Sequence, residues 1–167
     1  MPRIPQNHRP GKEPAPNKKS KYEDAVTLYL DNIGDRERAL EFGAWLRANK
    51  MSPLAAKSGY NWYINFNGSH VCHIRLYDDT WHIWPRAEIL SDILAREDIK
   101  ETIFENIFYC VKCSHDDGCK PATDITLFGR ELKGLCMYFY LSLRNPDAEM
   151  IEILKNILLT RKNQEVK

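Results

Sequence analysis

Nowhere in this 167-residue chain do apolar residues run on for the roughly 18 positions that a membrane-spanning helix requires, and its opening Met1-Pro-Arg-Ile-Pro-Gln-Asn lacks the apolar core of a secretory signal. No membrane partner is expected, and a cytoplasmic location is. Glycine-rich phosphate loops are missing too: neither Gly-x-Gly-x-x-Gly nor a Walker-type sequence occurs among the eight glycines, so nucleotide binding through those devices has no support. No internal repeat is present, which excludes solenoids. Cysteine is scarce, and its count of five is odd, which argues against a disulfide framework and for reduced thiols or metal thiolates.

What is present is a chain 43% hydrophobic and 28% charged, long enough for one sizeable core and short for two ordinary domains. Its net charge of +1 conceals an asymmetry. Residues 1 to 21 hold six cations (Arg3, Arg9, Lys12, Lys18, Lys19, Lys21) against Glu13, so this stretch carries +5 and the remainder −4. Five of the nine prolines share that stretch, which has almost nothing apolar to bury. Residues 1 to 19 therefore read as a disordered, basic, Pro-rich tail and residues 20 to 163 as a single domain.

Helical spacing begins after Ser20-Lys-Tyr-Glu23, which has the form of a capping box ahead of Tyr22, Val26, Tyr29, Leu30 and Ile33. That helix is expected to end near Gly34. Asp35 would cap a second one, with Ala39, Phe42, Gly43 and Leu46 on one face and Trp45 beside it, and Pro53 to Gly59 would form a loop. The period then changes to two. Trp62, Ile64 and Phe66 alternate with polar or amphipathic neighbours, Asn67-Gly68 signals a tight turn, and Cys72, Ile74 and Leu76 alternate in turn.

The register of this hairpin sets two preferences against each other. A two-residue Asn-Gly loop pairs Phe66 with Ser69 but sends Cys72 and Ile74 to the face opposite Trp62 and Ile64. Pairing Ile64 with Cys72 and Trp62 with Ile74 keeps one apolar face, and burial favours it. A third strand, Thr80–Trp84, ends at Pro85. Helical patterns return at Ile89 to Leu94 and after Asp98 (Ile103, Phe104, Ile107, Phe108). Asp124 to Phe128 and Leu135 to Leu143 read as strands with Gly129 and Gly134 marking the turn. Asn145 caps a last helix with Met150, Ile151, Leu154, Ile157 and Leu158 inward. The fold class is α+β: a mostly antiparallel sheet of about five strands with helices packed on one face, plus a Cys-rich loop.

That loop carries the densest chemistry. Cys110 and Cys113 form a Cys-x-x-Cys pair able to hold two thiolates on one tetrahedral zinc ion, and Cys119 adds a third within ten residues of polar, glycine-containing sequence where thiols have little packing purpose. Cys136 is the expected fourth ligand and His115 its alternative. A closed four-ligand site would be structural. With three cysteines an open position would admit a substrate, with Asp116 or Asp117 as base. Redox cycling is disfavoured, because Cys110 and Cys113 follow a helix C-terminus and the dipole there opposes the thiolate. A second constellation groups His70, Cys72, His73 and His82 with Trp62, Trp81, Trp84, Arg75 and Arg86 on the three-stranded meander. Strict alternation would separate His70 and Cys72 from His73. Cys72 with His82 on the neighbouring strand is a conceivable catalytic pair, though no acidic third member is evident. An open face of this sheet would offer aromatics and arginines to a planar or anionic small molecule.

The expected function is a cytosolic, non-enzymatic binding or regulatory domain with a zinc-ordered loop, its partner a small molecule or protein. The alternatives are a small thiol- or zinc-dependent enzyme and a nucleic-acid-associated protein using its basic N-terminal arm. No reading motif accompanies that arm, and a solvated basic terminus is the commoner explanation.

Overall fold

Two amphipathic segments open the described chain, α1 (Tyr22–Tyr29) and α2 (Ile33–Ala48). The computed structural model describes residues 21–56, 60–108, 123–135 and 140–164. The basic tail and the expected Ser20 cap fall outside them. At the start of α1 the Lys21 N–H donates to the Asp24 carboxylate at 3.3 Å. The break before α2 comes earlier than expected: Asn32, not Asp35, is the cap, its Oδ1 accepting from the Asp35 N–H at 3.0 Å, and Gly34 lies inside the helix. The expected inward face of Ala39, Phe42, Gly43 and Leu46 is buried.

Four strands follow, β1 (Pro53–Ala55), β2 (Asn61–Phe66), β3 (Ser69–Tyr77) and β4 (Thr80–Pro85). The first was expected as loop; it is a three-residue edge strand on β2, where a leading proline is tolerated because no ladder donor is needed from it. The hairpin of β2 and β3 satisfies both of its preferences. Asn67 (φ 47°) and Gly68 (φ 83°) make the two-residue turn and Phe66 pairs with Ser69, yet Ile64 pairs with Cys72 and Trp62 with Ile74. A β-bulge at Val71 supplies the extra residue that makes the two compatible.

After β4 come α3 (Ala87–Leu94), a 3₁₀ turn (Glu97–Ile99) and α4 (Lys100–Glu105). The helix expected to run through Phe108 stops at Glu105, and Ile107–Phe108 is extended as β5, because it pairs with β8 (Tyr140–Leu141). Between them β6 (Thr123–Leu127) and β7 (Arg130–Leu135) form a hairpin through Phe128 and Gly129. The strand β7 occupies what was expected as turn between Gly129 and Gly134. β9 (Leu143–Arg144) completes the main sheet, and α5 (Ala148–Gln164) ends the described chain. Asn145 does not cap α5. Its Oδ1 and N–H both bind the Trp81 backbone on β4, and Asp147 caps instead, accepting from the Met150 N–H at 2.8 Å.

The class is α+β. The main sheet is antiparallel in the order β1-β2-β3-β4-β9, flanked by the β5–β8 and β6–β7 pairs. Its inward residues (Trp62, Ile64, Cys72, Ile74, Leu76, Trp81, Ile83) join α1, α2, α3 and α5 in one core. A strained turn locks this layer to the sheet. Asp78 (φ 48°) and Asp79 (φ 54°) link β3 to β4, and the Asp79 carboxylate accepts the Asp31 and Asn32 N–H groups at 2.6 and 3.0 Å, holding the α1–α2 junction. Among the described residues no helix is long and apolar enough to cross a membrane.

Gly43 is where α2 meets Tyr22. A Cβ there would lie 2.4 Å from Tyr22 Cε1. The ring cannot withdraw, since it packs edge-on against Trp62 at 5.5 Å and its hydroxyl donates to the Ala39 carbonyl at 3.2 Å. Gly43→Ala is therefore expected to lower stability by about 1–3 kcal/mol through overpacking, despite the roughly 1 kcal/mol that alanine gains over glycine in an open helix. Thermal unfolding checks it: the midpoint drops by several degrees for Gly43→Ala and does not drop for Gly34→Ala, whose Cβ would meet only ordinary contacts at 3.5 Å.

Candidate functional site

The outward face of β2, β3 and β4 carries the second constellation, rearranged by the bulge. Trp62, Trp81 and Cys72 point into the core, while His73, Arg75, Tyr77, His82 and Trp84 point away from it. Strict alternation would send His70 inward with Cys72. The Val71 bulge instead turns His70 outward, so its ring lies 6.0 Å from His73 and edge-on to Tyr63 at 5.2 Å. His73 in turn stacks on Trp84 at 5.5 Å. These four rings form one cluster, with Tyr63 44% exposed at its edge.

A second cluster adjoins it. Arg75 lies between two tyrosines, its Cζ 5.4 Å from the Tyr60 ring centre and 4.9 Å from that of Tyr77, and Tyr77 stacks on His82 at 5.0 Å. The Arg75 Nε is buried without a hydrogen-bond partner, so the two ring faces compensate part of its lost hydration. No outward strand position of β2, β3, β4 or β9 carries a carboxylate, and among the described residues Arg75, Arg86 and Arg144 make no ion pair. Among the described residues the face is thus aromatic, cationic and without a compensating carboxylate.

Its imidazoles are neutral. Burial lowers His73 to a pKa of about 4, with His70, Arg75 and Arg86 adding repulsion; burial lowers His82 to about 4, with Arg144 and Arg75 adding theirs. Burial also depresses His70, against the hydrogen bond from its Nε2 to the Cys72 carbonyl. Both nitrogens of His82 are engaged: Nδ1 lies 2.7 Å from Ser142 Oγ and Nε2 3.3 Å from Thr80 Oγ1. The Thr80 hydroxyl already donates to the Tyr77 carbonyl, so Nε2 donates to Thr80 and Nδ1 accepts from Ser142. A protonated ring would reverse that last bond, Nδ1–H donating to the Ser142 hydroxyl.

The conceivable Cys72–His82 pair does not form. Cys72 faces the core and His82 the opposite side of the sheet, and burial pushes the thiol up to about 12, far from a thiolate at neutral pH. Among the described residues no three His, Cys, Asp or Glu side chains come together as a metal site. The expected ligands Cys110, Cys113, Cys119 and Cys136, with His115, Asp116 and Asp117, lie outside the described residues. A groove of about 700 Å³ between α1 and β1 is a competing concavity, lined by the Arg47–Glu23 ion pair and by Lys21 and Asp24, so charges of both signs meet there.

Sequence reasoning missed Tyr60, Tyr77, Ser142 and Arg144. Tyr77 was legible in the alternation of β3. The others reach the face through strand pairing alone. The chain matches no protein-family model, no curated protein and no solved structure, so the site is read from its geometry.

The buried neutral imidazoles set a pH dependence. Between about 4 and the ordinary value of about 6.5, the unfolded chain binds protons that folded His73 and His82 refuse, so stability is lost as pH falls through that window. A His73→Gln, His82→Asn double variant should lose less stability than the parent between pH 6.5 and 4.5. Denaturant titrations across that range check it, and equal slopes would contradict the assignment.

Proposed function

We propose that this chain is a non-enzymatic, cytosolic binding domain that receives a planar, anionic ligand on the outward face of β2–β4, and that zinc pins its Cys-rich segment. The observation that carries the first part is the set of three arginines without carboxylate partners among the described residues, interleaved with stacked rings on a face that has no acidic strand residue. Aromatic faces accept planar groups, and guanidinium forks accept phosphate or carboxylate. The retreat of Cys72 into the core removes the best placed nucleophile and supports binding over catalysis.

Chain connectivity supports the second part. Phe108 pairs with Tyr140 and Thr123 with Leu135, so Cys110 lies two residues from one paired strand, Cys136 one residue from another, and Cys119 four residues before Thr123. Ile107 and Leu132 are the buried residues of a small separate cluster that joins these strands. Among the described residues this cluster is small, which leaves an ordering role for a metal, with Cys110, Cys113, Cys119 and Cys136 as a closed four-thiolate set.

AMP serves as a planar, anionic probe of the face. It is expected to quench Trp84 fluorescence and to bind at least several-fold more weakly to Arg75→Met, with the helical content of that variant checked separately; an unchanged affinity would count against the face. Metal analysis of chelator-free protein tests the zinc: one ion per chain is expected, lost in Cys113→Ser together with several degrees of thermal stability. A metal-free parent with titratable thiols would remove the zinc from the proposal.

A further inference from the structure

The cations of the outward face are spread, and their spacing bears on what can satisfy them. Arg75 and Arg144 flank His82 from the two neighbouring strands, each pairing with it across the ladder. Strands lie about 4.8 Å apart, so the two arginine backbones stand roughly 10 Å from each other. Arg86 follows His82 by four residues, roughly 13 Å further along the strand direction, and its backbone N–H is tied to the bulge through the Val71 carbonyl at 2.9 Å. Arg86 is close enough to His70 and His73 to oppose their protonation, as Arg144 is to His82. Arg75, His82 and Arg144 therefore form a row across the strands, and Arg86 stands beyond the imidazole cluster along them. A single phosphate reaches one of these positions. Satisfying all three takes an anion with repeated charges and planar groups between them.

Resting on the reading that this face binds planar anions, we propose that its occupant is single-stranded nucleic acid, with bases stacking at Tyr63 and the His73–Trp84 pair and phosphates at Arg86, Arg75 and Arg144. Stacking platforms in a cationic groove bind single strands with little sequence preference, because every base has a π-face. The surface also suits a strand better than a mononucleotide: Tyr63 and its cross-strand neighbour Leu54 are 44% and 53% exposed, whereas small-molecule sites enclose most of their ligand. Arginine is the only cationic residue at the outward positions, and its planar guanidinium stacks on rings as well as pairing with phosphate.

The test uses the full chain and fluorescently labelled twelve-nucleotide oligo(U) and oligo(dT), with AMP and poly-glutamate as comparison ligands. The proposal expects oligo(U), oligo(dT) or both to bind more tightly than AMP and poly-glutamate. Tyr63→Ala should weaken binding at least about 5-fold, the lower end of one lost base stack. Arg144→Ala should reduce the slope of log affinity against log salt by about 0.7, as for one phosphate contact on a single strand. Lys155→Ala, a cation in the helical layer, should leave affinity within about twofold and so controls for loss of charge alone. Circular dichroism confirms that Tyr63→Ala and Arg144→Ala, both surface changes, remain folded. Oligonucleotide binding that ignores Tyr63→Ala and Arg144→Ala would place the contact elsewhere, on the basic tail for instance, and overturn the proposal. Poly-glutamate binding as tightly as oligo(U) would overturn it as well, by showing that charge suffices without bases. AMP bound at the face with no gain for the oligonucleotides would overturn it and leave the planar-anion reading standing; if neither AMP nor oligonucleotide binds, both fall.

Discussion

A single inserted residue, Val71, governs the character of both sheet faces. Side chains on a strand alternate with a period of two, so one residue of slip reverses every face assignment downstream. The Asn67-Gly68 turn demands one register and the burial of Ile64, Cys72, Trp62 and Ile74 demands another, and the bulge absorbs the difference. On the inner side this yields an apolar surface on which α1, α2, α3 and α5 pack. On the outer side it delivers His70 to His73 and Tyr63, making a ring cluster that strict alternation would have split. The core and the candidate site are two consequences of one irregularity.

The energetic contrast between the faces is what gives the outer one a functional reading. Inward positions are filled by large apolar groups, and two of them, Trp62 and Trp81, keep buried indole N–H groups without hydrogen-bond partners, a cost accepted for packing. Outward, imidazoles are held neutral and arginines lack carboxylates among the described residues. Surface arginines without partners are common, because water compensates them. Arg75 is different, since its Nε is buried between two tyrosine rings and water no longer reaches it. The two ring faces offset part of that lost hydration.

The second half of the chain follows another logic. The β6–β7 hairpin and the β5–β8 pair adjoin the main layer, and among the described residues Ile107 and Leu132 are the buried members of their own cluster. Contacts such as Phe104 against Phe128 at 6.0 Å and Arg130 over Phe104 at 4.4 Å supplement it at the surface. Three cysteines in ten residues, Cys110, Cys113 and Cys119, are joined to these strands by short connections.

Local sequence by itself determined much of this protein. Periodicity marked α2, the three-stranded meander and α5, because these elements bury one whole face and the pattern of burial is written in residue type. It also determined the class, since short turns between consecutive strands permit only antiparallel pairing. Tertiary structure decided the rest. Pro53–Ala55 and Ile107–Phe108 are strands only because β2 and β8 supply the hydrogen bonds that these short segments cannot supply themselves. Asn145 was drawn from the helix cap to the Trp81 backbone by a contact across 64 residues of chain, leaving the cap to Asp147. The candidate site divides along the same line. Its histidines and arginines were legible as a cluster in sequence, but which of them share a face depended on the bulge, and Ser142 and Arg144 arrived from a strand that only the folded sheet brings alongside.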